Sequence, residues 1–276
     1  MQSISEQLSF GITCDHDGWV THLDLPSRTG LNLKGGCQEQ HLLSNNIPAG
    51  LGKCAKLQVF RAGYNNLSGS LPEDIYNATT LEEITLPSNA ISGDIKEEIV
   101  NLTNLTILDL YLNQFSGMLP MNIGKLSKLK FMLLHSNNLK GSLPPSLVNC
   151  TNLEQLNLGS NNLEGNLSVL DFSKLSRLSK LDVVSNHFTG VFPTSLYSCK
   201  SLKALRLNLN DLDGRIEPEI LSLKSLSFLS LSGSRMSNIT GAMNILMRCK
   251  SLKVLILSNN FVGEEMPIGD GMVDVD

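Results

Sequence analysis

The pattern LxxLxLxxN returns nine times along the chain, and its closing position falls at Asn65, Asn89, Asn113, Asn137, Asn161, Asn186, Asn210, Ser234 and Asn260. The successive intervals are 24, 24, 24, 24, 25, 24, 24 and 26 residues. A chain that repeats at a fixed period in the twenties does not gather its apolar residues into one central core. Each unit has an apolar face that only its neighbours can cover, so the units must stack into an elongated solenoid.

The residues of one unit show how. In Leu129, Met132, Leu134, Asn137 and Leu139, alternation sends Met132 and Leu134 to one side of a short strand and Leu133 and His135 to the other. The Asn closes the unit because the chain leaves the strand inside the solenoid, where backbone N–H and C=O groups lose their sheet partners. An amide side chain carries donors and an acceptor, so a ladder of Asn65, Asn89, Asn113, Asn137, Asn161, Asn186, Asn210 and Asn260 can satisfy them. Segments such as LSGSLPEDI (67–75) and LKGSLPPSL (139–147) follow the Asn. Their glycines suit turns and their prolines suit extended or turn backbone that needs no N–H. The pattern predicts an α/β leucine-rich-repeat solenoid, with a curved parallel sheet on the concave face and turns and short helical segments on the convex side.

Three regions are expected: a degenerate cap and irregular repeat over 1–53, about nine units over 54–268, and an acidic tail over 269–276. Val20, Leu23 and Leu25 read as one strand with Arg28 in the Asn slot, and 32–46 has no clean strand. The start, MQSISEQLSFGITC, has neither the basic nor the apolar region of a signal peptide. No run of 18 apolar residues is present to span a membrane. Charged residues are 17% of the chain and the net charge is -4, which argues against a nucleic-acid-binding surface.

Six cysteines suggest a disulfide framework until their register is read. Cys54, Cys150, Cys199 and Cys249 each stand three residues before the first Leu of a unit, a slot that Leu102, Leu126, Leu175 and Leu223 fill elsewhere. A position shared by Leu and Cys is an inward one, where a thiol packs as a small hydrophobe. Cys14 and Cys37 lie outside this register, and their pairing, with each other or elsewhere, stays open.

No phosphate loop, zinc-protease motif, CxxC pair, nucleophile elbow or kinase catalytic loop is found, so the chain is expected to be no enzyme and to need no cofactor. His16, between Asp15 and Asp17, reads as a solvated loop rather than a metal site. Seven Asn-x-Ser/Thr triplets start at Asn66, Asn77, Asn101, Asn104, Asn149, Asn166 and Asn238, each a glycan acceptor in a secreted protein. None falls on an outward strand position, so glycans would leave the inner face bare.

That inner face is the expected binding surface. Its central column reads Arg61, Thr85, Asp109, Leu133, Asn157, Asp182, Arg206, Ser230 and Ile256, and beside it run Tyr64, Pro87, Tyr111, His135, Val184 and Asn208. Aromatic and Arg side chains are the usual anchors of interfaces, so the ligand-contacting candidates are Arg61, Tyr64, Asp109, Tyr111, Phe131, His135, Asp182 and Arg206. Nine parallel strands about 4.8 Å apart give a surface roughly 40 Å long, which an extended peptide of about 12 residues would cross. A peptide or protein suits such a surface better than a small metabolite, which prefers a closed pocket.

The unit LxxLxLxxNxLxGxIP resembles the plant extracellular leucine-rich repeat. CAKLQVFRAGYNNLSGSLPEDIYN, SLVNCTNLEQLNL, LDFSKLSRLSKLDVVSNHFTGVFPTSLYSCKSL and MSNITGAMNILMRCKSL look like the ectodomain of plant receptors for tyrosine-sulfated peptides, the phytosulfokine-receptor branch. The resemblance implies a ligand-recognition ectodomain, part of a receptor kinase or receptor-like protein at the plasma membrane. Its partners would be a secreted, tyrosine-sulfated peptide or a protein ligand, and a leucine-rich-repeat co-receptor. Two other classes remain open: a secreted defence solenoid of the polygalacturonase-inhibitor type, and a truncated, non-functional gene product.

Overall fold

A computed structural model describes residues 12–25 and 44–267. Its spine is an eleven-stranded sheet with one short strand per unit, from Val59–Arg61 through Glu83–Thr85, Ile107–Asp109 and Phe131–Leu133 to Val254–Ile256. From Val20–Asp24 onward, neighbours pair in parallel without slippage: Met132 lies beside Leu108 and Leu156, and Leu133 beside Asp109 and Asn157. Equal spacing in sequence puts equivalent residues side by side, so the apolar positions form continuous columns. Leu105, Leu108, Leu129, Met132, Leu153 and Leu156 are all fully buried. Burial on this scale is the main stabilising term of the stack.

The first strand of the register is Val20–Asp24, whose Leu23 pairs with Phe60 and whose Asp24 pairs with Arg61. A hairpin partner, Ile12–Cys14, lies antiparallel to it and forms the sheet's outer edge. Where no clean strand is expected over 32–46, Ser44–Asn46 is one, paired in parallel with Asn66–Ser68. Arg28 and Cys37 lie outside the described residues, as does the acidic tail.

The segments after each Asn differ from expectation. They form a second set of parallel strands along the flank, including Asn66–Gly69, Ala90–Asp94, Asn162–Asn166 and His187–Val191. This flank falls into a four-stranded and a five-stranded sheet. The backbone bonds from Asn138 N–H to Phe115 C=O and from Lys140 N–H to Gly117 C=O cross between them. The glycine of the LxG segment is a strand residue in a left-handed conformation rather than a turn residue: Gly190 has φ 89°, and a Cβ there would lie 2.1 Å from the Asn166 amide oxygen. Beyond it come short 3-10 turns such as Glu73–Asn77, Pro145–Asn149 and Thr194–Ser198, led by Pro72, Pro144 and Pro193, the helical pieces expected on the convex side.

The Asn ladder is present. Asn137 Nδ2 donates to Leu134 C=O in its own unit and to Leu110 C=O in the one before, at 3.1 and 3.0 Å, while its Oδ1 accepts from Phe115 N–H at 2.9 Å. Asn113, Asn161, Asn186 and Asn210 repeat the pattern. Ser234 breaks it: its hydroxyl is buried and unbonded. The flank strand after it shrinks to Arg235–Met236, and the only α-helix among the described residues, Ile239–Leu246, replaces the Pro-led turn. Asn238, at φ 65°, caps this helix by accepting from Gly241 N–H.

Cys150 and Cys199 are fully buried, their Sγ atoms directed at the carbonyls of Ile123 and Phe172. Burial pushes these thiols up to about 12 and about 11. Cys54 and Cys249 are half-buried against the same core, and all four are free.

Candidate ligand-binding face

The side chains of the spine that do not enter the core make the inner face, and three linked groups organise it. The first is ionic. Arg61 grips Glu83 with two bonds, Nε to Oε1 at 2.5 Å and Nη2 to Oε2 at 2.6 Å, and lies 3.9 Å from Asp24. Burial raises the Glu83 carboxyl, but the Arg61 fork and the Thr85 hydroxyl outweigh it and hold it below the usual range. One unit on, Asp109 has no such cation. Burial, reinforced by the nearby Glu83 charge, pushes it up to about 6 against the opposing Tyr111 N–H.

The second group is aromatic. Tyr111 and His135 stack with centroids 4.5 Å apart and planes 11° off parallel. The Tyr111 hydroxyl is hydrogen-bonded to that of Tyr64, and this bond, followed by burial, pushes Tyr111 up to about 12. Tyr64 reaches two units along the solenoid because the position between carries only Pro87. It is not in the Tyr111 column as expected: Gly63 fills that place, and Tyr64 occupies the next slot, at φ 57°, which Ser88, Leu112 and Ser136 fill in the following units. His135 Nδ1 is buried and makes no hydrogen bond, and burial lowers the ring's pKa.

The third group is centred on Asp182. It is buried to 2%, 3.4 Å from Arg206 and 3.6 Å from Lys180, so a ligand meets those cations before the carboxylate. Arg206 also lies over the Phe228 ring at 4.9 Å, a cation–π contact. Phe131 is half-buried beside Ile107 and Gln155. The structure thus brings Arg61, Tyr64, Asp109, Tyr111 and His135 into one patch and sets Asp182 and Arg206 in another.

Sequence reasoning missed Glu83, Lys180 and Phe228. All three share the column of Phe131, two residues before the central column of Thr85, Leu133, Asp182 and Ser230, and the same alternation marks it as outward. A groove of about 870 Å³ lies away from the inner face, between the turns Thr194–Ser198 and Pro218–Ser222, with Tyr197, Lys200, Glu217 and Lys224 on its walls. Among the described residues there is no cluster of His, Cys, Asp and Glu able to hold a metal, and no helix is long and apolar enough to cross a membrane.

Architecture and inner face together define a leucine-rich-repeat solenoid. Leucine rich repeat family profiles match residues 104–126, 128–150 and 176–236. Receptor-like protein 3 of Arabidopsis thaliana is 50% identical over 59 residues, 21% of this chain and 8% of that protein. Phytosulfokine receptor 1 of the same plant is 48% identical over 46 residues, 17% of this chain and 5% of that protein. The plant peptide hormone receptor RGFR1, solved in complex with RGF2, superposes with a TM-score of 0.75 at 34% identity, covering 79% of this chain and 35% of that one. The chain therefore spans only a small part of its curated relatives and about a third of this solved one.

Proposed function

We propose that this chain is the ligand-recognising part of a plant cell-surface receptor or receptor-like protein, acting outside the cell, and that its inner face binds a secreted peptide of the tyrosine-sulfated type. The observation that carries this is the unbroken inner sheet bearing two separate polar–aromatic patches, Arg61 to His135 and Lys180 to Phe228. A long open face with anchors at intervals fits an extended chain. Arg206 is the best sulfate partner. Arg61 is committed to Glu83 by two bonds, whereas Arg206 makes one long contact with Asp182 and lies over an aromatic ring.

The seven sequons fit an exported protein. Six of their Asn residues are exposed, and Asn104 is half-buried with its Nδ2 donating to Thr79 C=O. Signalling through a co-receptor and a cytosolic kinase belongs to the same reading. Calorimetric titration with a synthetic tyrosine-sulfated peptide and its unsulfated twin tests it. The sulfated form should bind about tenfold tighter, and Arg206→Ala should level the two. Equal affinity for wild type removes sulfate recognition from the reading; no binding of either peptide removes the inner face as a peptide site.

A further inference from the structure

One edge of this chain is rich in cations, with Glu217 and Glu219 lining the groove that Lys200 and Lys224 share. Where each unit climbs from its convex turn into its inner strand, residues 173–180, 198–203, 222–227 and 247–253 together carry nine Lys or Arg and no Asp or Glu. The flank segment 211–221, in the same part of the stack, carries four acids and one Arg. Among the described residues, Lys180 is the single member of the nine with a carboxylate within 4 Å. The other eight are exposed.

The solenoid lines these charges up. Lys200, Lys224 and Lys250 each stand two residues before the first Leu of successive units. Lys203 and Lys253 belong to a ladder in which Lys203 N–H bonds Ser179 C=O, Ser227 N–H bonds Lys203 C=O, and Lys253 N–H bonds Ser227 C=O, at 2.8 to 2.9 Å. At about 4.8 Å per unit the row is roughly 14 Å long. Lys125, Lys128 and Lys130 lie upstream, separated from the row by Glu154, which takes the ladder position between Lys130 and Ser179.

We infer that this basic edge binds a linear acidic polysaccharide, a polyuronate chain, by a surface separate from the inner face. Each part of the edge points the same way. Seven of the nine cations are Lys, compact hydrated point charges that meet single anionic oxygens along a chain, rather than the guanidinium fork that grips one carboxylate or phosphate with two bonds. Between them stand the exposed hydroxyl groups of Ser176, Ser201 and Ser225, able to bond sugar hydroxyls. Tyr197, beside Lys200 and Lys224, is buried and offers no open face to stack a nucleic-acid base, and the row offers no continuous apolar stripe to enter a lipid surface.

The test uses the full chain and a Lys203→Ser, Lys224→Ser, Lys250→Ser, Lys253→Ser variant, all four positions being exposed, with circular dichroism to verify the fold. The probes are an oligogalacturonate, its methyl ester, a polyglutamate peptide, and phosphatidylcholine vesicles containing phosphatidylserine. Wild type should bind the oligogalacturonate and lose it as salt rises. The folded variant should bind roughly tenfold more weakly, and the methyl ester should not bind. Equal binding of the ester, undiminished binding by the folded variant, or tighter binding to polyglutamate or vesicles would each overturn the inference. If the variant fails to fold, the ester comparison on wild type decides alone.

Discussion

The unit that closes on Asn137 and the unit that closes on Ser234 make the same turn of the solenoid with different parts. Both bury their leucines: Leu134 and Leu231 are 1% and 0% exposed. The first ties its exit to the unit before through the amide of Asn137, then runs along the flank into the turn Pro145–Asn149. The second has a hydroxyl with no partner, a two-residue flank strand and a capped α-helix. Stacking thus depends on the leucine columns everywhere, whereas the polar connection between units can be dropped at one place.

Five substitutions test that difference, and urea melts measure each. Leu134→Ala and Leu231→Ala should each lose about 2 to 5 kcal/mol and by similar amounts; a much smaller loss at Leu231 would mean that the helical unit is loosely packed. Asn137→Ala should lose about 1 to 3 kcal/mol by orphaning the Phe115 N–H, and an unchanged midpoint would remove the ladder from the account. Asn238→Ala, which deletes the helix cap, should lose about 1 kcal/mol. Ser234→Ala should change stability by no more than about 0.5 kcal/mol, since no hydrogen bond is broken; a loss as large as that of Asn137→Ala would show that the hydroxyl is bonded in solution.

A further effect comes from the inner face and depends on pH. Asp109 keeps its proton up to about 6 in the folded chain, against 3.8 ordinarily. Between those values the folded state holds a proton that the unfolded chain has released. Its contribution is therefore fully present at low pH and is lost as pH rises through about 6. His135, lowered by burial, works in the opposite sense, its contribution growing as pH rises through the ordinary histidine range. Comparing wild type with Asp109→Asn isolates the first effect: the variant should lack the decline over that interval.

Sequence carried the spine of this structure and less of its faces. Leu and Asn are legible because burial and satisfied amides demand the same residue in every unit. The flank strands were not, because LSGS and LKGS show no apolar alternation; they form by stacking like on like, with Gly190 and its counterparts holding backbone that other residues resist. The inner columns were legible as positions but not as contacts. Tyr64 meets Tyr111 two units away only because Gly63 and Pro87 leave the space, and Glu83 stands in a column that elsewhere holds Ile107, Phe131 and Gln155.

The double attachment of each ladder amide has a mechanical side. An Asn that holds carbonyls of two consecutive coils acts as a rivet, and a pull along the solenoid axis loads these rivets in series. Between the coils that close on Asn210 and Ser234 the rivet is missing, while Asn260 restores it one coil later through Leu231 C=O and Met236 N–H. Stretched in a force experiment, the molecule is expected to yield first at that seam, and Ser234→Asn should raise the force at which it gives.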